Sequence, residues 1–164
     1  MSAKILVIDY DEDTKTRIAA AKEVLSYIIN IHESVFCIYE WDDDHVLPLR
    51  GMHEYGWELF DFPKGTSQKM ASYRMRRRGY EPANPLHMLV FAAQAFNDNR
   101  SFGEWHRYVI GLGGELQTVL GAQFGGLNQG TCFFFQHLPQ NKWKHDGGRN
   151  NRFLGVREIR KKDT

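Results

Sequence analysis

Cysteine is scarce in this sequence: Cys37 and Cys132 are the only two in 164 residues, both inside apolar runs, "SVFCIYEW" and "GTCFFFQ". So few thiols exclude a disulfide-stapled scaffold. Thiols in apolar surroundings are expected to be buried and free, which fits a reducing cytoplasm. Long apolar runs are also missing. No stretch approaches the roughly 18 residues a membrane span requires. The start, "MSAKILVIDYDEDT", has neither the basic region nor the unbroken apolar segment of a secretory leader. No membrane association is therefore expected. The seven histidines lack the paired spacing of zinc sites, and there is no repeat or low-complexity tract. An apolar share of 42% with 25% charged residues instead describes an ordinary globular chain, long enough for one core, so residues 1–164 are expected to form a single domain.

Net charge is also small, +1, but it is unevenly spread. Residues 1–61 carry thirteen acidic and five basic side chains, whereas residues 62–164 carry sixteen basic and seven acidic. Such a split predicts either complementary faces, within one chain or between self-associating copies, or one face built for an anionic partner.

The local pattern predicts an α+β fold: a short N-terminal βαβ-like part, then helices and an antiparallel, β-rich C-terminal part. "KILVID" (4–9) reads as a strand ended by charge. Ile18, Ala21, Leu25 and Ile28 recur at helical spacing in the stretch that follows, and "SVFCIYEW" (34–41) reads as a second strand. A strand–helix–strand opening would pair these two strands in parallel. "LRGMHEYGWELFDFPKG" suggests a short hairpin broken by Gly51 and Gly56. "SQKMASYRMRRRGY" reads as a basic helix stopping at Gly79. "NPLHMLVFAAQAFNDN" reads as a helix capped by Asn84 with Pro85 at its first position. Further on, "GELQTVLGAQF" alternates with a period of two, and "GTCFFFQHL" and "RFLGVREI" also read as strands. Gly111, Gly113 and Gly114 in "YVIGLGGELQ" mark a glycine-rich turn rather than a dinucleotide loop, because a strand-like pattern follows.

Two acidic clusters are candidate metal sites. Asp9 and Asp11 in "IDYDED" end the first strand, and Asp43 and Asp44 in "WDDDH" end the second. If these strands were parallel neighbours, both clusters would emerge at one sheet edge, where carboxylates could hold Mg²⁺ or Mn²⁺. "KILVIDYDED" resembles the acidic loop of response-regulator receiver domains, with Tyr10 where their second adjacent acidic residue stands. It also resembles the nucleophile motif of haloacid-dehalogenase-like phosphatases, which would make Asp9 the nucleophile and Asp11 its acid/base. An EF-hand reading of Asp9, Asp11 and Asp13 meets Thr14 where a glycine is required. "DDDHVLPLRG" resembles the first motif of HNH endonucleases, which implies Asp44 as metal ligand and His45 as general base. Together these give one reading: a metal-dependent phosphodiesterase, nuclease or phosphatase-like enzyme, with His45 and Asp9 catalytic. The competing explanation needs no metal: Asp11 or Asp13 caps the helix that follows.

The other reading is a binding protein without catalysis of its own. Lys69, Arg74, Arg76, Arg77 and Arg78 are interleaved with Tyr73, and Trp143, Arg149 and Arg152 follow in the C-terminal part. Cations neutralise phosphates and aromatic rings stack unpaired bases, so this surface is expected to engage an anionic partner, nucleic acid first among them. Of the two readings, the binding protein is the one the sequence favours, because each enzyme motif is incomplete.

Overall fold

The computed structural model describes residues 4–28, 36–37, 49–95, 106–113, 116–123, 130–137 and 151–161. Over these residues the chain is α+β. The strands are β1 (Ile5–Asp9), β2 (Phe36–Cys37), β3 (Met52–Phe60), β4 (Glu81–Pro82), β5 (His106–Gly111), β6 (Leu116–Gln123), β7 (Gly130–His137) and β8 (Asn151–Lys161). The helices are α1 (Thr14–Ile28), α2 (Gln68–Arg77) and α3 (Pro85–Gln94). No helix among the described residues is long and apolar enough to cross a membrane.

Each helix starts where its sequence supplies a cap. The Asp13 carboxylate accepts the Thr16 N–H at 2.8 Å at the start of α1. Ser67 accepts the Met70 N–H at 3.2 Å and opens α2, whose last turn carries Arg74, Arg76 and Arg77 near the negative end of the helix dipole. Gly79, at φ 81°, takes the chain out of α2. Asn84 and His87 close a reciprocal capping box on α3, with Pro85 in the first turn.

The strands form one sheet in the order β1-β3-β8-β5-β6-β7-β2, with β4 added beside β8. Most pairings are antiparallel, while β5–β8 and β2–β7 are parallel. The strand–helix–strand opening is present, but its two strands do not pair. β1 lies antiparallel to β3 at one end of the sheet, and β2 lies against β7 at the other. Cys37 falls opposite Phe134 rather than Cys132. The hairpin expected within residues 49–65 is likewise replaced by one unbroken strand. Gly56 sits in the middle of β3, where a Cβ would meet Ile159 Cδ1 at 3.2 Å, so it is a packing glycine and not a breaker.

Two apolar clusters cover opposite faces of the sheet. Val109, Leu154 and Val156 join Leu6, Ile8, Tyr55 and Trp57 beneath α3 and α1. Ile110 and Phe153, the neighbours of Val109 and Leu154 along their strands, instead join Phe60, Leu112 and the Ala71 and Met75 side chains of α2. Adjacent residues of a strand point to opposite faces, so α2 packs on the face away from α3. Phe91, Met88, Leu86 and Leu89 are at most 1% exposed, which makes α3 the most deeply buried helix described.

Candidate functional site

The acidic loop after β1 is occupied by its own backbone and by two arginines. One Asp9 carboxylate oxygen accepts the Asp11 N–H at 2.9 Å, and the Asp9 carbonyl accepts from Arg17 Nη2 at 2.7 Å. Asp11 accepts the Gly51 N–H at 3.2 Å and lies 3.6 Å from Arg50 Nη1. Asp13 caps α1, and its bond with Thr16 holds its carboxyl below the usual value. Arg17 is buried, with Glu12 at 4.0 Å as its nearest carboxylate. The alternating acids therefore build a helix start and balance Arg17 and Arg50.

The parallel adjacency expected to bring the two acidic clusters together is not formed, because β3 takes the place beside β1 and β2 lies at the far end of the sheet. Asp43, Asp44 and His45 lie outside the described residues. Among the described residues no group of three His, Cys, Asp or Glu side chains could hold a metal ion.

Next to this loop lies a buried polar column. The Tyr10 and Tyr55 hydroxyls share a hydrogen bond of 2.7 Å, and burial raises the pKa of both above the ordinary tyrosine value. His53 is 2% exposed, with Nδ1 2.7 Å from Glu158 Oε1 and Nε2 3.0 Å from the Arg50 carbonyl. Both of its ring nitrogens are engaged, so neither is open to a metal ion. His87 accepts the Asn84 N–H at Nδ1 and stands edge-on to Tyr55, with centroids 4.9 Å apart. Its Nε2 is buried without a hydrogen-bond partner among the described residues, and burial lowers its pKa to about 4. These are core contacts of β1, β3, β8 and α3. The sequence offered no signal for them, because Tyr10, His53 and Glu158 meet only through strand pairing.

The basic helix has a different character. α2 buries Ala71, Ser72 and Met75 and turns Lys69, Met70, Tyr73, Arg74, Arg76 and Arg77 outward. Its cations divide into two sets. Arg76 Nε donates to Glu81 at 2.8 Å. Arg78, just past the helix, donates to Glu58 at 3.0 Å and lies 5.0 Å over the Phe60 ring. Lys69, Arg74 and Arg77 have no partner among the described residues, and Tyr73 stands among them 55% exposed. Arg152 is on β8, ion-paired with Asp61, and Trp143 and Arg149 lie outside the described residues.

A cleft of roughly 660 Å³ opens beside α2. Its walls are one face of α2 from Ser67 to Arg76, the stretch from Glu81 to Asn84, and Leu112 with Gly113 at the end of β5. Gln68, Ser72 and Arg76 recur every four residues and so form one stripe along this wall. The Gln68 amide donates to the Leu112 carbonyl at 3.2 Å, and Gly113 N donates to the Ala83 carbonyl at 2.8 Å, which ties the two sides together. Gly113 must lack a side chain: a Cβ there would lie 2.5 Å from the Pro82 carbonyl oxygen. Sequence reasoning named Lys69 and Arg76 but missed Gln68 and Ser72. The available signal was a polar stripe of period four on an otherwise amphipathic helix. No family model, curated protein or solved structure matches this chain significantly.

Proposed function

We propose that this protein is a cytosolic binding protein, without catalysis of its own, that holds an anionic partner against the outer face of α2, with single-stranded nucleic acid as the partner class. One observation carries the reading: Lys69, the exposed Tyr73 and Arg77 share one stripe of α2 at a spacing of four, with Arg74 beside it, and none of the three cations has a carboxylate partner among the described residues. A surface helix whose only task is solubility gains from pairing its cations, as Arg76 and Arg78 are paired. Unpaired cations spaced along a helix suit phosphates, and an exposed tyrosine among them suits an unpaired base.

The test is binding of labelled single- and double-stranded DNA and RNA over a salt series. A triple variant, Lys69→Ala with Arg74→Ala and Arg77→Ala, is expected to weaken binding regardless of base sequence. It should also flatten the log K against log salt slope by about two for single strands. Unchanged affinity and slope would remove α2 from the reading.

A further inference from the structure

We infer that the cleft beside α2 binds a nucleoside monophosphate unit, a phosphate monoester carried on a sugar that also bears a flat base. This rests on the reading of α2 as an anion-binding helix and gives that helix a second contact, since Lys69 lines the cleft.

The strongest observation is Ser72. It lines the cleft at 8% exposure, with a hydroxyl that is not among the buried polar atoms left without a partner and so is open to the cleft. A hydroxyl in this position is satisfied by an oxygen that enters the cleft. The charges agree with an anion: Lys69 and Arg76 face Glu81, an excess of one cation. Glu81 takes only the Nε–H of Arg76, so it fixes the guanidinium and leaves the terminal N–H groups to donate.

Size and lining give the rest of the ligand. A space of roughly 660 Å³ is far larger than a bare phosphate and falls within the range of small-molecule sites. Pro82 and Leu112 supply apolar wall for a ring, and the Gln68 carbonyl oxygen remains free to accept from it once the amide nitrogen is used on Leu112. Ser67 and Asn84 spend their side chains on helix caps and act as walls only. The same chemistry is presented by a free nucleotide and by the phosphorylated end of a strand.

The test titrates the full chain calorimetrically with adenosine 5′-monophosphate and with adenosine, then with 5′-phosphorylated and 5′-hydroxyl decamers. The monophosphate is expected to bind at least about tenfold more tightly than the nucleoside. Ser72→Ala is expected to weaken monophosphate binding about three- to tenfold while leaving thermal stability nearly unchanged, because the hydroxyl faces the cleft rather than the core. Lys69→Gln should weaken it about tenfold. Equal binding of monophosphate and nucleoside, or a Ser72→Ala protein with undiminished affinity, overturns the inference. Tighter binding of the 5′-phosphorylated decamer assigns the cleft to strand ends, and equal decamer binding with the monophosphate still bound assigns it to free nucleotide. Decamer binding with no monophosphate binding would overturn the cleft and leave α2 standing. Monophosphate binding with no decamer binding would do the reverse.

Discussion

The side chain of Gln94 occupies the edge of β1 that faces away from β3. Its amide nitrogen donates to the Val7 carbonyl at 2.7 Å, and its oxygen accepts the Val7 N–H at 2.9 Å, so one side chain imitates one residue of a neighbouring strand. Exposed strand edges invite pairing between chains. Gln94→Ala is expected to cost about 1–2 kcal/mol in urea unfolding and to increase association at high concentration, read by sedimentation. A variant equally stable and equally monodisperse would show that Val7 does not need this cover.

The hydrogen bond between Tyr10 and Tyr55 predicts a non-additive mutant cycle. Tyr55→Phe leaves the Tyr10 hydroxyl buried without its partner and is expected to cost about 1–3 kcal/mol. Removing both hydroxyls, Tyr10→Phe with Tyr55→Phe, should cost less than the sum of the single changes. Additive losses in denaturant melts would mean that water already serves both groups.

His87 predicts a pH dependence of stability. Its pKa falls from 6.5 to about 4 on folding, because burial disfavours the imidazolium. The unfolded chain therefore binds more protons between these values. Stability is full above pH 6.5 and falls as the pH drops through this window, by on the order of 3 kcal/mol in total. His87→Gln should lower stability at neutral pH and flatten the slope between pH 6.5 and 4. Parallel curves for the two proteins would contradict a neutral buried imidazole. Asp13, whose folded pKa is depressed, acts in a separate window: it stabilises above its unfolded value of 3.8 and loses that contribution as the pH falls further.

Gly113→Ala tests the wall of the cleft. The added methyl would lie 2.5 Å from the Pro82 oxygen and 2.8 Å from the Ala83 carbonyl carbon, both backbone atoms that cannot rotate away. A loss of about 1–3 kcal/mol is expected in thermal or denaturant unfolding. Unaltered stability would mean that the turn after β5 shifts at no cost.

Local signals were legible in the sequence and long-range pairings were not. Gly79, Asn84 and Pro85 mark helix ends through chemistry confined to a few residues, and α2 stops and α3 starts where those residues stand. The period-two pattern of residues 116–123 likewise became β6. The error over Gly56 has a tertiary cause: the glycine makes room for Ile159, about a hundred residues away in sequence. The expected β1–β2 neighbourhood failed for a similar reason, since partner choice is settled by which apolar faces share a core and not by which strands are adjacent in the chain. At the candidate site, the cations of α2 were visible as composition. Which of them are paired depends on Glu58 and Glu81, brought in from β3 and β4.

The position of β8 bears on how the chain is made. It pairs with β3, β4 and β5, yet Phe60 meets its partner Phe153 only after some 90 further residues have been joined. At about 5–20 residues per second, β3 waits several seconds on the ribosome with one edge open. Nascent chains stalled before residue 151 are therefore expected to be cut readily by protease. Chains stalled on a C-terminal linker long enough for β8 to clear the exit tunnel should resist, making its emergence the step that closes the sheet.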